Sequence, residues 1–444
     1  MLSPPSAAHS PCGRALAADD LPSRVRAQLL ESARRGAPVS GYVYDLEVAR
    51  ERARSLRAAL PGWASLLFAV KANSYRPVLQ ALLGDGGVDG FEVASAAEAR
   101  LASDVIGTRT REARLVAAGP AKHPGLLHEM VDAGVDVIHV ESPLELARLS
   151  AVAVERGSTL PVALRVNPAR IDVNGSLAMG GRSSAFGIPE PDVPAAVELA
   201  RSLPGLDVVG FHVHAVCGNR DAGAHAAYVA GCLTWATATA SRHRLDLRWL
   251  DVGGGLGVDY DGTAALSLDV LAAGLDRLRP PTGVEVALEP GRWLAADCGW
   301  YAAEVVDVKE SYGGTYVLIR GGIGGFALPG TEDFPFPLAV LPVESWPGDL
   351  PRPEARRRTV TVAGELCTPE DVVVRDVEVD RVRAGDLVVV PKAGAYGWEF
   401  ALQSFLGHPL ATRSVVGPAA PKSAEHPGDG PTGAVAAAEK EHLS

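Results

Sequence analysis

The chain has 444 residues, a net charge of −11, 47% hydrophobic and 21% charged residues, 48 glycines and 33 prolines. That is the balance of a globular protein of two or three units with many turns, and an acidic total with no stripe of Lys and Arg excludes nucleic acid as an expected partner. The five cysteines (Cys12, Cys217, Cys232, Cys298 and Cys367) are scattered, odd in number and without a CxxC pair, so neither a disulfide framework nor a metal site is expected and a reducing, cytoplasmic setting fits.

In chain order, residues 1–38 read as an N-terminal extension. Its opening, MLSPPSAAHSPCGRALAADD, lacks the apolar run of a signal peptide, and no later segment reads as a membrane span. Residues 39–47, with GYVYDLE (Gly41 to Glu47), read as a strand that joins a later β domain. Eight short apolar runs then alternate with Ala-, Leu-, Glu- and Arg-rich helical patterns. They are SLLFAV (Ser65 to Val70), GFEV (Gly90 to Val93), LVAA (Leu115 to Ala118), DVIHV (Asp136 to Val140), PVALRV (Pro161 to Val166), DVVGFHV (Asp207 to Val213), DLRWLDV (Asp246 to Val252) and VEVAL (Val284 to Leu288). Eight strands alternating with helices is the count of a closed (β/α)8 TIM-like barrel, here over 48–292; an open doubly wound sheet alternates in the same way. Beyond it AAEVVDVKE, TYVLIRG, RTVTVAG, DVVVRDVEV and DLVVVPK predict a C-terminal all-β domain over 293–412. Residues 413–444, rich in Pro, Gly, Ala and charge and without periodicity, read as a disordered tail.

In such a barrel the reacting groups sit where strands end on the carboxyl-terminal face. Lys71 follows strand one, Gly119 and Lys122 strand three, Glu141 and Ser142 strand four, Asn167 strand five and His214 strand six. Gly253, Gly254 and Gly255 follow strand seven, and Glu289, Gly291 and Arg292 strand eight. A glycine triplet lets backbone N–H groups approach an anion, and Arg292 is a second contact for a phosphate. A lone lysine at a strand exit ordinarily reaches water, His214 is open to being a core histidine, and Glu289 to pairing with Arg292. Taken together they match what pyridoxal 5′-phosphate requires: a lysine for a Schiff base, a carboxylate that keeps the pyridine nitrogen protonated, and an aromatic group against the ring.

The motifs FAVKAN, GFEVASAAE, GPAK, GFHVHAVCGN, LDVGGGLG, EPGR, GELCTPED and GAYGWEF, in this order from Tyr42 to Pro409, resemble the fold-type III pyridoxal-phosphate-dependent decarboxylases, the group of diaminopimelate and ornithine decarboxylases. The resemblance implies Lys71 as the Schiff-base lysine, His214 as the ring-stacking group, Gly253 to Gly255, Gly291 and Arg292 as the phosphate site, Glu289 as the pyridinium partner and Tyr396 as a tyrosine near the cofactor. It implies a homodimer with shared active sites in which Cys367 serves the neighbouring subunit as proton donor, and it puts Arg182, Thr368, Glu370 and Tyr396 against the substrate. Diaminopimelate decarboxylases usually read CESGD where this chain reads Cys367-Thr368-Pro369-Glu370-Asp371, relatives often carry a serine at Cys217, and many have lysine at Ala185. The CTPED pattern and FLGHP (Phe405 to Pro409) look more like decarboxylases of siderophore and other natural-product pathways. Glu289 weighs against a racemase of the same barrel type, which typically sets an arginine at the pyridine nitrogen, and the trailing β domain weighs against a single-barrel cofactor-binding protein.

Overall fold

The computed structural model describes residues 12–35, 38–107, 113–170, 173, 175, 177–178, 180–181, 183–260, 262–328 and 337–418. Eight parallel strands close into a barrel: Ala64–Ala69, Gly90–Val93, Arg114–Ala117, Val137–Val140, Leu160–Asn167, Leu206–His212, Trp249–Asp251 and Glu285–Leu288, with strand five paired to strand six and strand eight to strand one. Closure of the ring excludes the open sheet. Within it Leu67, Val116, Val137, Ala163, Val209, Trp249 and Ala287 pack as one apolar layer, the side-chain layering expected of a filled barrel.

Because successive strand residues alternate between the two faces, the next inward level holds Ala69, His139, Arg165, Asp251 and, past the strand end, Glu289. Glu92 stands level with Ala69 in the pairing of strands one and two. On strand six the register shifts between Val208 and Gly210, which sets His212 level with Asp251. The barrel thus changes from apolar to polar over two residues per strand.

The β domain is built on the long strand Gly299–Ser311, which pairs with Gly314–Ile319, Leu387–Val390 and Ser40–Asp45. Glu354–Ala363 and Val372–Arg383 extend the sheet. Two expectations need correction. Residues 413–416 of the expected tail belong to a strand: Thr412–Val416 runs parallel to Ser40–Asp45, whose second edge would otherwise stay unpaired. Of the expected N-terminal extension, the described residues 12–35 pack on the β domain: Cys12–Arg14 pairs with Val372–Arg383, and helix Ser23–Arg34 lays Val25 and Leu29 on the apolar face formed by Val43, Trp300, Ala302, Leu341 and Val389. A sheet with an apolar outer face needs such a cover.

Candidate active site

Strand one ends in a single tight turn, Val70–Ala72, that lifts Lys71 into the barrel mouth. The β domain clamps this turn from outside. Asn73 Nδ2 donates to the Gly394 carbonyl at 2.7 Å, Tyr396 N–H to the Ala72 carbonyl at 2.7 Å, and Ser74 N–H to Glu399 Oε1 at 2.8 Å. Tyr396 pays for this with φ +66°, a strained value for a bulky residue that only its surroundings can hold. The KANS and GAYGWE motifs are therefore two halves of one joint.

Lys71 Nζ donates to Glu92 Oε2 at 2.5 Å, its side chain 41% accessible and that of Glu92 1%. Burial acts to lower the lysine pKa, but the carboxylates of Glu92 and Glu289 and the Tyr396 phenol outweigh it, and the ammonium form is favoured. Burial raises Glu92 to about 7, against the pull of Lys71.

Opposite, Glu289 is buried with His212 Nε2 3.5 Å from Oε2 and His139 Nδ1 3.9 Å from Oε1. Its Oε1 has no hydrogen-bond partner among the described residues. Burial pushes its pKa up, yet His212, Asp251 and His139 together hold it well below the usual carboxylate range. The potential donor atoms of His139, His212, Asp251 and Glu289 lie within 4.8 Å of one another.

Gly253 N–H donates to Asp251 Oδ1 at 2.7 Å and Gly254 N–H to His214 Nδ1 at 3.1 Å. Of the three glycine amides the sequence offered to an anion, that of Gly255 alone has no acceptor among the described residues. A Cβ on Gly254 would lie 2.3 Å from the Glu289 carbonyl oxygen, and one on Gly291 2.8 Å from Ala72 Cβ, so glycine is what lets these loops meet. Since His214 Nδ1 accepts, its Nε2–H faces Cys217 Sγ at 3.2 Å. Burial, with Lys71 and Arg165 nearby, lowers the His214 pKa well below its ordinary value and keeps the ring neutral. Arg292 donates to Tyr260 Oη at 3.3 Å and lies over the Tyr396 ring at 4.6 Å.

Other strand-end residues have structural work. Ser142 caps helix Pro143–Glu155 by accepting from Glu145 N–H, Asn167 accepts from Gly181 N–H, and Lys122 is buried against Glu145 at 2.6 Å and the Gly119 carbonyl at 2.5 Å. Cys367, Thr368 and Glu370 are not joined to the Lys71 cluster by any hydrogen bond or ion pair among the described residues. They occupy a β-domain turn held by Asp371, which accepts from Ile323 N–H and Leu366 N–H, each at 2.7 Å. Arg182 lies outside the described residues. Glu92, Asp251, His139, His212 and Arg165, paired with Glu141 at 2.6 Å, escaped the sequence reading. The signal available was one polar residue two positions beyond the apolar interior residue of a strand.

A closed barrel with a lysine and a buried carboxylate at its mouth, and a glycine turn and an arginine beside them, offers the groups that an enzyme with a phosphate-bearing carbonyl cofactor requires. The sequence family described as "Pyridoxal-dependent decarboxylase, pyridoxal binding domain" matches residues 46–296. A Staphylococcus aureus protein, 2-[(L-alanin-3-ylcarbamoyl)methyl]-2-hydroxybutanedioate decarboxylase, is 34% identical over 84% of this chain and 92% of its own. A diaminopimelate decarboxylase of Aquifex aeolicus is 29% identical over 83% and 84% of the two chains. In fold the chain is similar to the Helicobacter pylori diaminopimelate decarboxylase crystallised with L-lysine, with a TM-score of 0.74 at 22% identity over 87% and 94% of the chains. The chain belongs to the pyridoxal-dependent decarboxylases and is a carboxy-lyase. No helix among the described residues is long and apolar enough to cross a membrane.

Proposed function

We propose that the chain binds pyridoxal 5′-phosphate at the barrel mouth and decarboxylates an amino acid already joined to a carboxylate-rich carrier, as a cytoplasmic homodimer with shared sites, in a siderophore-type or related natural-product pathway. The observation that carries this reading is the Lys71 amine, held by Glu92 and within the electrostatic reach of the buried Glu289 carboxylate, whose Oε1 has no hydrogen-bond partner among the described residues. A protonated pyridine nitrogen suits that oxygen, and the Gly255 N–H with Arg292 suits a phosphate. The residues fit the cofactor.

Pyridoxal phosphate, when bound, takes up the electron pair left by the departing carboxylate. Lys71 would hold it, with Glu92 Oε2 accepting a hydrogen bond from the Lys71 amine and so fixing that amine at the barrel mouth. Glu289 keeps a proton at the ring nitrogen. The neutral His214 would lie against the ring, and Tyr396 would border the substrate. Cys367 of the partner subunit returns a proton to the α-carbon, with the partner's Thr368 and the partner's Glu370 at the distal end of the substrate.

Two observations support the conjugate. The substrate in the name of the S. aureus relative is an alanine unit in amide linkage to a hydroxybutanedioate. Thr368-Pro369 stands where the distal ammonium of diaminopimelate would need an acid, and proline offers no N–H. Decarboxylation of meso-diaminopimelate is the second reading, favoured by the Aquifex relative; ornithine, lysine or arginine come after it, and racemisation last.

The test joins borohydride reduction and peptide mapping with carbon dioxide release from meso-diaminopimelate, ornithine, lysine, arginine and a citryl-diamino-acid conjugate. The pyridoxyl label is expected on Lys71, and the conjugate is expected to give the highest kcat/KM. Label on Lys122 or Lys392 defeats the site assignment, and a preference for diaminopimelate defeats the substrate assignment.

A further inference from the structure

We infer that Asp251 and Glu289 share a single proton, that it resides on Asp251, and that Asp251 is thereby a positioning residue that keeps Glu289 ionised and in place. This deepens the reading above and rests on it only for the position of Glu289 at the pyridine nitrogen.

Asp251 is wholly buried, Glu289 is 3% accessible, and the two carboxyl groups fall within the 4.8 Å cluster. Two carboxylates so close and so dry cannot both ionise. Their neighbours decide which one does. The Trp249 indole N–H, which can only donate, gives its proton to His139 Nε2 at 3.2 Å. His139 is neutral, since burial and then His212 lower its pKa well below the ordinary value, so its own proton is on Nδ1. That nitrogen faces Glu289 Oε1 at 3.9 Å, while the accepting Nε2 faces Asp251 Oδ2 at 3.8 Å. The imidazole therefore turns its donor edge to Glu289 and its acceptor edge to Asp251.

His212 adds a second approach to Glu289, at 3.5 Å. Among the described residues Asp251 has one donor, the Gly253 N–H on Oδ1, and Oδ2 is buried without a partner unless it carries a proton to share. Glu92 is the remaining carboxyl group that bears on the pair, and its charge opposes ionisation of Asp251. Burial first and Glu289 second raise the Asp251 pKa well above the carboxylate range, in keeping with this assignment. A single side chain so ties the first glycine of the phosphate loop to the ring-nitrogen partner, and that accounts for the aspartate in LDVGGG.

Asparagine is the discriminating substitution. In D251N, Oδ1 still accepts from Gly253 and Nδ2 still donates to Glu289, but the group can never be an anion; D251A removes both contacts. The infrared difference spectrum of the cofactor-free full chain, wild type minus D251N at neutral pH, is expected to contain a protonated-carboxyl band. In the cofactor-loaded enzyme kcat is expected to fall about tenfold or more in D251A, the order associated with losing a hydrogen bond to a charged group, and D251N is expected to recover most of that loss, while Glu289→Gln stays impaired. Absence of the band, or a D251N enzyme as impaired as Glu289→Gln, overturns the inference, because Asp251 would then act as an anion. Should D251A fail to fold, the band and the D251N to Glu289→Gln comparison decide alone. A chain that takes up no cofactor defeats the reading of the previous section and leaves the infrared result to judge the pair.

Discussion

His225 stands apart from the reacting groups, wholly buried on helix Ala222–Arg242, with neither ring nitrogen hydrogen-bonded among the described residues. Burial pushes its pKa down to about 4, against about 6.5 in an unfolded chain. As pH falls the unfolded chain binds this proton first. The contribution of the neutral ring is thus complete above pH ~6.5 and is lost as pH falls toward ~4, and it is worth on the order of 3 kcal/mol. His225→Leu is expected to flatten this part of the acid limb when urea midpoints are followed from pH 7 to pH 4; parallel wild-type and variant curves would count against it. Such buried groups differ from Lys71, Glu289, His214 and Arg292 in how they read from sequence. Those four follow the last apolar residue of a strand, where a change of pattern draws notice. Glu92, His139, His212 and Asp251 lie inside runs such as GFEV and DVIHV, where a single polar residue passes for the solvent side of an alternating strand. Only ring closure turns that side inward, and the bulge at Val208 to Gly210 that brings His212 into line has no sequence mark beyond one glycine.

Helix Leu46–Ala59 joins the β domain to the barrel, and its first turn depends on Asp45, whose Oδ1 accepts from Glu47 N–H at 3.1 Å and Val48 N–H at 3.4 Å. Asp45 is wholly buried and also pairs with Arg24 of the N-terminal helix. Asp45→Ala is expected to cost about 2 kcal/mol, the upper range for a lost cap, because the Arg24 partner goes as well. Asp45→Asn keeps the cap and should cost clearly less; equal urea midpoints for the two variants would argue against the capping role. The eight barrel strands and five strands of the β domain were legible because each is an apolar run bounded by turn residues. Helix Ser23–Arg34 was not, since in SRVRAQLLESAR only Val25 and Leu29 are fully buried and the rest is charged or half-exposed. Thr412–Val416 was lost for a related reason: it has five residues, none fully buried, ahead of a segment whose composition resembles a linker.

One chain leaves the exposed Cys367 without a hydrogen bond or ion pair to its own Lys71 cluster among the described residues, and Phe400, Leu402, Phe405, Leu406 and Leu410, just past Tyr396, are exposed. The proposed homodimer, in which a second copy covers this surface and supplies its Cys367 to the first, would account for both. Mixing Lys71→Ala with Cys367→Ala chains is expected to restore roughly a quarter of wild-type activity, because random exchange makes half the dimers mixed and each mixed dimer has one intact site. No recovery despite demonstrated exchange would mean that each chain acts alone. The same architecture sets a timetable for synthesis. Strand Ser40–Asp45 lies between Gly299–Ser311 and Thr412–Val416, the latter 372 residues later in sequence. At roughly 5–20 residues per second the ribosome needs about 20 to 75 seconds to deliver that last neighbour. Until Gly299–Ser311 is made YVYD has neither neighbour, and from then until Thr412–Val416 arrives one of its edges stays bare, while the barrel strands have all been synthesised. The barrel is therefore the unit that folds during translation, the β domain is sealed only near the end of it, and an interruption of elongation before Thr412 leaves an apolar edge open to other nascent chains.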